Sequence, residues 1–249
     1  MSLRFRESQS SPCHSLATRS TMAQSQGTSH NQLSQSPALH PPRIRLTGRS
    51  ITIEPLSAAH AEDLFSCVGG LENASLWTYM PAGPFESKAS LETYINSVIS
   101  SEDSVFSALI DPASQRAVGY LGLLRIDLKN RIVEIGSIML SPTLQRSTAA
   151  TEAYYLMAKM VFEDLGFRRY EWKCNNLNTP SKNAAIRLGF TFEGIFRQHM
   201  IVKGLNRDSA WFSIIDSEWP SIKNAFEKWL DPTNFDADGN QRRSLASFR

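Results

Sequence analysis

The chain has 249 residues, of which 41% are hydrophobic and 20% charged, and its formal net charge is +2. This composition is ordinary for a globular protein, and the small charge excludes a strong general attraction to nucleic acid or to anionic membranes. No apolar run approaches the roughly 20 residues that a membrane-spanning helix needs. Cys13, Cys67 and Cys174 are scattered, with no pair at zinc-ligand spacing, so we expect a reducing compartment, no structural disulfide and no metal site.

Residues 1–42 differ in composition from the rest of the chain. They are dominated by Ser, Gln, Thr and His, and their few large apolar side chains cannot offset the entropy lost on ordering, so we predict a disordered tail. Arg4, Arg6 and Arg19 loosely match a mitochondrial transit peptide, but no amphipathic apolar face accompanies them. We therefore expect a cytoplasmic protein, with a mitochondrial location as the alternative. Residues 233–249 also have the composition of a frayed tail.

Between the tails, residues 43–232 are predicted to form one folded domain. Its first half begins with an alternating segment, "RIRLTGRSITIEPL", which predicts a hairpin or a bent strand. Two helices follow, "SAAHAEDLFSCV" and "SKASLETYINSVIS", separated by the aromatic, proline-rich loop "LWTYMPAGPF". Three strands come next, "SVFSALID", "AVGYLGLLRID" and "IVEIGSIML".

The second half begins with a helix whose apolar residues recur at helical spacing from Ala150 until Gly166, where a left-handed cap belongs. The segment "RRYEWKCN" alternates as a strand does, and a short helix is predicted to start with Thr179 as its N-cap and to close at Gly189. A long hairpin and a final helix, "SEWPSIKNAFEKWL", complete the domain. This order combines an antiparallel meander with a crossover through residues 131–175, which predicts a single α+β domain.

The turn before the third helix is unusually rich in hydrogen-bond donors. Gln145, Arg146, Ser147 and Thr148 lie between a strand that ends near Leu140 and the start of that helix. Free N–H groups and the positive end of the helix dipole make such a turn suitable for a phosphate group. The alternative is that a hydroxyl caps the helix and Arg146 is solvated. The turn lacks the glycines of a Walker A or GxGxxG loop, which disfavours a nucleotide-binding fold.

The same stretch resembles the acyl-CoA loop of the GNAT N-acetyltransferases, [Q/R]-x-x-G-x-[G/A]. Gln145 and Ala150 fit this pattern, while Thr148 replaces the usual glycine. "TAATEA" is similar to the "GYATEA" of the ribosomal-protein-acetyltransferase-like (RimJ/RimL) branch, and "NTPSKNAAIRLGFTFEG" resembles that branch's N-x-x-S helix with its following L-G-F and E-G. The resemblance covers about residues 43–229. It implies an α+β GNAT-like domain with a mixed, mostly antiparallel sheet, a splayed strand pair and flanking helices.

The resemblance also implies where acetyl-CoA, as co-substrate, would bind. The strand at 138–140 would separate from the strand at 169–174 and accept the pantetheine arm. The residues implied in cofactor binding are Met139, Leu140, Gln145, Arg146, Ser147, Thr148, Ala149, Ala150, Asn178 and Ser181. Thr148 is expected to weaken binding or to change its hydration, because a β-branched residue crowds a close backbone approach that glycine permits.

Glu134 stands where several GNAT enzymes have a catalytic glutamate, which removes a proton from the amine, often through water. The alternative for Glu134 is a solvent-facing strand residue. Many relatives carry a tyrosine acid four residues before the glycine of L-G-F, but this chain has Ala185 there. Another group or water must then protonate the thiolate.

Aromatic residues and a histidine are candidates for the acceptor side of the site. These substrate-binding candidates are Trp77, Tyr79, Trp172 and His199. Trp211 could complete an aromatic-walled pocket with them, and the alternative for each aromatic residue is core packing. His199 lies on the final hairpin, where a lone histidine is more often a core or surface residue.

These features predict an acetyl-CoA-dependent N-acetyltransferase that moves an acetyl group directly to a primary amine of a small molecule or a protein N-terminus. The alternative is a catalytically inactive GNAT-fold protein that binds acyl-CoA as a sensor or scaffold, which Ala185 and Thr148 favour and Glu134 opposes. The acceptor amine is not readable from the sequence. We expect no metal, no nucleic-acid partner and no membrane partner, and a monomer or a homodimer.

Overall fold

The computed structural model describes residues 36–249. Most of the predicted disordered tail, residues 1–35, therefore lies outside the described residues. The last part of that predicted tail packs against the domain. Ala38 is buried and donates its N–H to the Leu128 carbonyl at 3.0 Å, so ordered structure begins before residue 43.

Eight strands and five α-helices make up this part of the chain, in the predicted order. The strands are β1 (Leu46–Thr47), β2 (Thr52–Pro55), β3 (Ser104–Ile110), β4 (Ala117–Asp127), β5 (Ile132–Leu140), β6 (Arg169–Asn175), β7 (Thr191–Val202) and β8 (Leu205–Ile215). The helices are α1 (Ala61–Val68), α2 (Lys88–Ile99), α3 (Thr148–Lys159), α4 (Thr179–Leu188) and α5 (Trp219–Leu230). Short 3₁₀ turns lie at Ala58–His60, Leu71–Trp77, Pro232–Asn234 and Leu245–Phe248, and a π-helical turn, Met160–Asp164, extends α3.

The strands form one sheet in the order β1-β2-β3-β4-β5-β6-β8-β7. Strands β5 and β6 are parallel, joined by the crossover helix α3, and every other neighbouring pair is antiparallel. The predicted α+β architecture is confirmed. The crossover brings the carboxyl ends of β5 and β6 to the same edge as the start of α3.

One apolar layer packs on each face of the sheet, and the two layers lie over different strands. On one face, Tyr170, Trp172 and Cys174 of β6 pack in the main core with α3 and α5. On the other face, α1 and α2 pack against Phe106 and Tyr120 of β3 and β4. Because side chains alternate along a strand, the remaining residues of β5, β6 and β8 point away from α3. We call this surface the polar face; its residues are Glu134, Arg169, Glu171, Lys173, Arg207, Ser209, Trp211 and Ser213.

Side-chain caps fix the beginnings of α3 and α4. The Ser147 hydroxyl accepts the Ala150 N–H at 3.0 Å, as expected for an N-cap. At α4 the N-cap is Asn178, one residue before the predicted Thr179, because the amide side chain reaches the Ser181 N–H at 3.1 Å. Gly189 ends α4 with φ 103°, the left-handed conformation that favours glycine.

The prediction that residues 233–249 form a frayed tail is wrong. Leu245 is only 2% exposed and belongs to the main core. The Arg249 guanidinium donates to the Arg187 carbonyl at 2.9 Å and to the Ile186 carbonyl at 3.3 Å, where the last carbonyls of α4 lack helical partners. The apolar side chains of Leu245 and Phe248 and the Arg249 guanidinium thus hold this segment against the domain, although its composition is that of a tail.

No helix within residues 36–249 is long and apolar enough to cross a bilayer. Within the same residues, no group of three or more His, Cys, Asp and Glu side chains is arranged to hold a metal ion.

Candidate active site

A cleft opens in the sheet where β5 and β6 separate. Their parallel pairing joins Ile132–Ile135 to Arg169–Trp172 and extends no further. Beyond it, β5 stays with β4 as far as Leu140, and β6 stays with β8 as far as Asn175. Ser137, with φ 47°, lies at a bulge in β5 that bends the strand at this point. The splayed pair predicted from the family resemblance is therefore present, with Met139 and Leu140 on one arm.

The start of α3 lies at the open end of this cleft, and some of its predicted donors are already in use. The Ser147 N–H donates to the Leu144 carbonyl at 3.3 Å, and the Ala150 N–H is bound by the Ser147 hydroxyl. Thr148 and Ala149, the first two residues of the helix, have no acceptor within it. The Arg146 N–H also has no acceptor among the described residues, so the donors left to a phosphate include the N–H groups of Arg146, Thr148 and Ala149.

The side chains of the turn divide between structure and solvent. Gln145 donates its amide to the Leu140 carbonyl at 3.1 Å and so ties the turn to the end of β5. Arg146 adopts φ 61° and is exposed, which leaves its guanidinium to approach an anion from solvent. The structure thus brings the predicted loop residues together, with a positioning role for Gln145.

Trp172 and the start of α4 form the covered wall of the cleft. Trp172 is 4% exposed, packs against Tyr154 and Phe190, and donates its indole N–H to the Ser181 hydroxyl at 3.0 Å. This corrects the placement of Trp172 in the acceptor pocket, because its ring faces the helices. The Asn178 carbonyl oxygen caps α4, and its amide NH₂ is the part of the side chain that can meet a cofactor.

Glu134 lies on the polar face beside the point where β5 and β6 separate. It is 7% exposed, so it is not the solvent-facing strand residue of the alternative interpretation. The Lys173 ammonium donates to its Oε2 at 3.0 Å, and Arg125 Nε lies 3.7 Å from the same oxygen. Burial raises the pKa of Glu134, and the charges of Lys173 and Arg125 partly oppose this. A carboxylate whose pKa lies above its ordinary value is a better proton acceptor for an amine.

An ion-pair chain continues from Glu134 across the sheet. Lys173, whose side chain is 4% exposed, also contacts Glu171 at 2.7 Å. Arg169 bridges Glu171 at 2.7 Å and Glu193 at 2.6 Å. Glu193, the glutamate of the family E-G pair, is therefore engaged in holding β6 to β7. The alternation in "RRYEWKCN" indicates this row of ion pairs, because it places the charged side chains on one face of the strand and the aromatic side chains on the other.

His199 lies on the same face, on a bulge of β7. Gln198 has φ 50°, and its N–H donates to Asp208 at 2.7 Å, which holds the bulge in place. His199 Nδ1 is 2.9 Å from the Ser209 hydroxyl, and the imidazole ring packs against Trp211. Trp211 in turn carries the Lys173 ammonium 3.8 Å from its ring centre. Lys173 therefore connects Glu134 to the aromatic corner in which His199 lies.

Trp77 and Tyr79 differ in what they can contact. Trp77 is fully buried, donates its indole to the Val68 carbonyl at 2.7 Å and packs edge-on against Phe85, so the prediction that it lines an acceptor pocket is wrong. Tyr79 is half-buried in the following loop. The Lys203 ammonium, at the turn of the β7–β8 hairpin, donates to the Trp77 carbonyl at 2.9 Å and links the hairpin to this loop segment.

A splayed parallel pair, a helix start facing the gap and a buried glutamate beside it define an acyl-transfer fold of the GNAT class. Residues 50–191 match the profile of the acetyltransferase (GNAT) domain. The chain therefore belongs to the GNAT acetyltransferase family.

Solved structures with this fold include proteins of substantial sequence identity. A GCN5-related N-acetyltransferase from Brucella melitensis is 45% identical, with a TM-score of 0.84, over 86% of this chain and 98% of its own. A probable GNAT-family acetyltransferase from Chromobacterium violaceum is 33% identical, with a TM-score of 0.71, over 84% of this chain and 100% of its own. The microcin C7 self-immunity acetyltransferase, solved with acetyl-CoA and AMP, shares the fold at 22% identity and a TM-score of 0.60, over 70% and 97% of the two chains. No protein of curated function matches the sequence significantly.

Proposed function

We propose that this protein is an acetyl-CoA-dependent N-acetyltransferase of the ribosomal-protein-acetyltransferase-like branch. It transfers the acetyl group directly to a primary amine of a small molecule or a protein N-terminus. The observation that carries the proposal is the buried Glu134 carboxylate, which lies on the polar face beside the gap between β5 and β6.

The co-substrate enters from the side of the sheet that α3 and α4 cover. The N–H groups of Thr148 and Ala149 bind the pyrophosphate together with the positive end of the helix dipole, and Arg146 adds charge. The pantetheine arm lies along Met139 and Leu140 in the gap. The Asn178 amide donates to the arm from the start of α4. The acetyl-CoA complex of the microcin C7 self-immunity acetyltransferase supports this choice of co-substrate at the level of the fold.

The amine acceptor approaches from the polar face. Glu134 removes a proton from the attacking amine, directly or through water, while the amine nitrogen bonds to the thioester carbonyl carbon. The carbon–sulfur bond then breaks, and the sulfur leaves with the electron pair and takes up a proton. Ala185 is fully buried and has no hydroxyl, so the nearby side-chain donor on this helix face is Ser181, one turn earlier.

The test is an assay of coenzyme A thiol release from acetyl-CoA with a panel of primary amines. Glu134→Gln is expected to lower kcat by about 100-fold or more, the range of a lost general base, while desulfo-CoA binding is unchanged. The pKa of Glu134 is raised above 4.5, and protonation removes the base. The reaction rate of the wild type should therefore fall as the pH is lowered, with a midpoint above pH 4.5. Glu163→Gln, a surface carboxylate paired with Lys223 at 2.8 Å, is the matched control and should keep full activity.

Two results would contradict the proposal. Full activity of Glu134→Gln would eliminate Glu134 as the base. A wild type that binds acetyl-CoA and transfers acetyl to none of the amines would favour the non-catalytic acyl-CoA sensor.

A further inference from the structure

Two buried donors on β8 have no acceptor. The chain has five tryptophans, and the indole N–H groups of four of them donate to a protein oxygen. Trp211 is the exception, because within residues 36–249 its buried Nε1 has no hydrogen-bond partner. Arg207 Nε is buried and unpartnered in the same way. Buried donors without acceptors are rare in folded proteins, so each of them needs an explanation.

Both residues belong to one corner of the polar face. Arg207, Ser209 and Trp211 alternate along β8 and so point to the same side of the sheet. His199 lies between them, because its Nδ1 is 2.9 Å from the Ser209 hydroxyl and its ring packs against Trp211. Burial lowers the pKa of His199, and the positive charges of Arg125, Arg207 and Lys173 lower it further, because all three cations lie near this ring.

The carboxylates of the polar face neutralise the other cations but not Arg207. Lys173 is shared by Glu134 and Glu171, and Arg125 lies 3.7 Å from Glu134. Arg207 takes part in none of the ion pairs among the described residues, and its buried Nε has no hydrogen-bond acceptor there. The neighbouring Asp208 carboxylate accepts instead from the Gln198 N–H and the Asn206 amide. The corner therefore combines an uncompensated positive charge with two unsatisfied donors.

We propose that this corner binds an anionic group of the amine acceptor, a carboxylate or a phosphate. The inference rests on the proposed function and narrows its acceptor to small molecules that carry an amine and an anion. A guanidinium presents donors in a planar fork that matches both anions, and the indole adds one more donor beside it. The Trp211 and Phe196 rings, 4.5 Å apart between centres, supply an apolar wall.

The position of Lys173 relates this corner to the reaction centre. Its ammonium lies 3.0 Å from Glu134 and 3.8 Å from the centre of the Trp211 ring. An acceptor with its amine at Glu134 therefore has its anionic group directed along the polar face toward Arg207. The side chain of Lys173 separates the two ends of such an acceptor.

The test follows the five indole N–H signals of the full chain by ¹H–¹⁵N NMR. Phosphate and propionate are titrated separately at constant ionic strength, with chloride as the control, and Trp211→Phe identifies the Trp211 signal. We expect a saturable shift of the Trp211 signal with one or both anions, while the four indoles with protein acceptors stay in place. Arg207→Gln should weaken that binding by about 10-fold or more, as expected when a charged hydrogen-bond partner is lost. Arg207→Lys keeps the charge without the fork and should weaken it less.

Three results would overturn the inference: no selective shift of Trp211, an equal shift with chloride, or unchanged affinity in Arg207→Gln. Desulfo-CoA binding is measured on the same samples and should be equal in wild type and Arg207→Gln. Failure of the anion site therefore leaves desulfo-CoA binding and acetyl transfer to amines intact, whereas failure of the proposed function removes desulfo-CoA binding or leaves no acetyl transfer to any amine. Acetyl transfer to alanine, alaninamide and phosphoethanolamine then distinguishes carboxylate from phosphate; equal use of alaninamide would also contradict the inference.

Discussion

At the scale of single residues, Lys173 is the counter-ion of two buried carboxylates. Its ammonium lies 3.0 Å from Glu134 and 2.7 Å from Glu171, which face each other across the parallel pair of β5 and β6. Without Lys173, Glu134 would keep only Arg125 at 3.7 Å, whereas Glu171 would keep its ion pair with Arg169 at 2.7 Å. Removing one partner of a buried ion pair is costly for this reason, even where the pair itself adds little.

Lys173→Met is therefore expected to lower the free energy of unfolding by about 3–5 kcal/mol at neutral pH. The matched control is Lys223→Met, which breaks a half-exposed pair with Glu163 at 2.8 Å and should cost at most about 1 kcal/mol. Urea unfolding of both variants measures the difference.

The pH dependence of this difference has a definite sign. The pKa of Glu134 is already raised by burial, and loss of Lys173 raises it further, so protonation stabilises the folded variant. The loss of unfolding free energy in Lys173→Met should be small below pH 4.5, the ordinary pKa of a glutamate. It should grow as the pH rises through the raised pKa of Glu134. Equal costs for the two variants at every pH would show that Glu134 and Glu171 are not buried charges.

At the scale of elements, the C-terminal turn Leu245–Phe248 behaves as part of the core. Leu245 is 2% exposed, and Leu245→Ala is expected to destabilise the protein by about 2–5 kcal/mol, as for other buried leucines. Ala246→Ser changes an exposed neighbour and should stay within about 0.5 kcal/mol of wild type. Urea unfolding distinguishes them, and a Leu245→Ala variant as stable as the control would mean that the segment does fray.

Helices and strands with a strong local period were predictable from the sequence. Apolar spacing from Ala150 predicted α3, and the resemblance to the GNAT family implied that Glu134 and the turn at 145–148 belong to one site. The C-terminal turn was not predictable, because Leu245 and Phe248 stand in a polar segment without a period, and their contacts are with α4 and α5, which are distant in sequence.

The acceptor side was predicted less well, because it depends on which face of the sheet the helices cover. Alternation showed that Trp172 lies opposite Lys173 in β6. It did not show that α3 covers the tryptophan side, since the direction of the crossover decides this. Trp77 was assigned to an open loop, but a 3₁₀ turn folds it into the second core under α1 and α2. The cofactor contact of Asn178 stays a prediction, whereas its capping bond to the Ser181 N–H was not predicted, because it depends on the geometry at the start of α4.

At the scale of the whole molecule, the two faces of the sheet separate the two substrates of the proposed reaction. Helices α3 and α5 cover one face of β5, β6 and β8, and α3 begins at the open end of the gap between β5 and β6. Helices α1 and α2 cover β3 and β4 on the other face, which leaves the polar face beside them for an acceptor. In the proposed reaction, acetyl-CoA on one side and the amine on the other would meet only at the gap.

Calorimetric titration of the full chain with acetyl-CoA and with desulfo-CoA tests this arrangement most directly. Thr148→Pro removes one N–H of the first turn of α3. Proline is tolerated at this first helical position, because the preceding residue, the N-cap Ser147, is extended with ψ 165°. Lys88→Pro makes the same change at the first residue of α2, after the extended N-cap Ser87.

We expect saturable binding of both ligands by wild type and by Lys88→Pro, and binding weakened about 10-fold or more by Thr148→Pro, as for a lost hydrogen bond to a charged group. Thr148→Gly, which keeps the N–H and relieves crowding, should bind at least as tightly as wild type. No binding of either ligand by the wild type, or equal binding by Thr148→Pro, would contradict the assignment of the start of α3 as the acyl-CoA site.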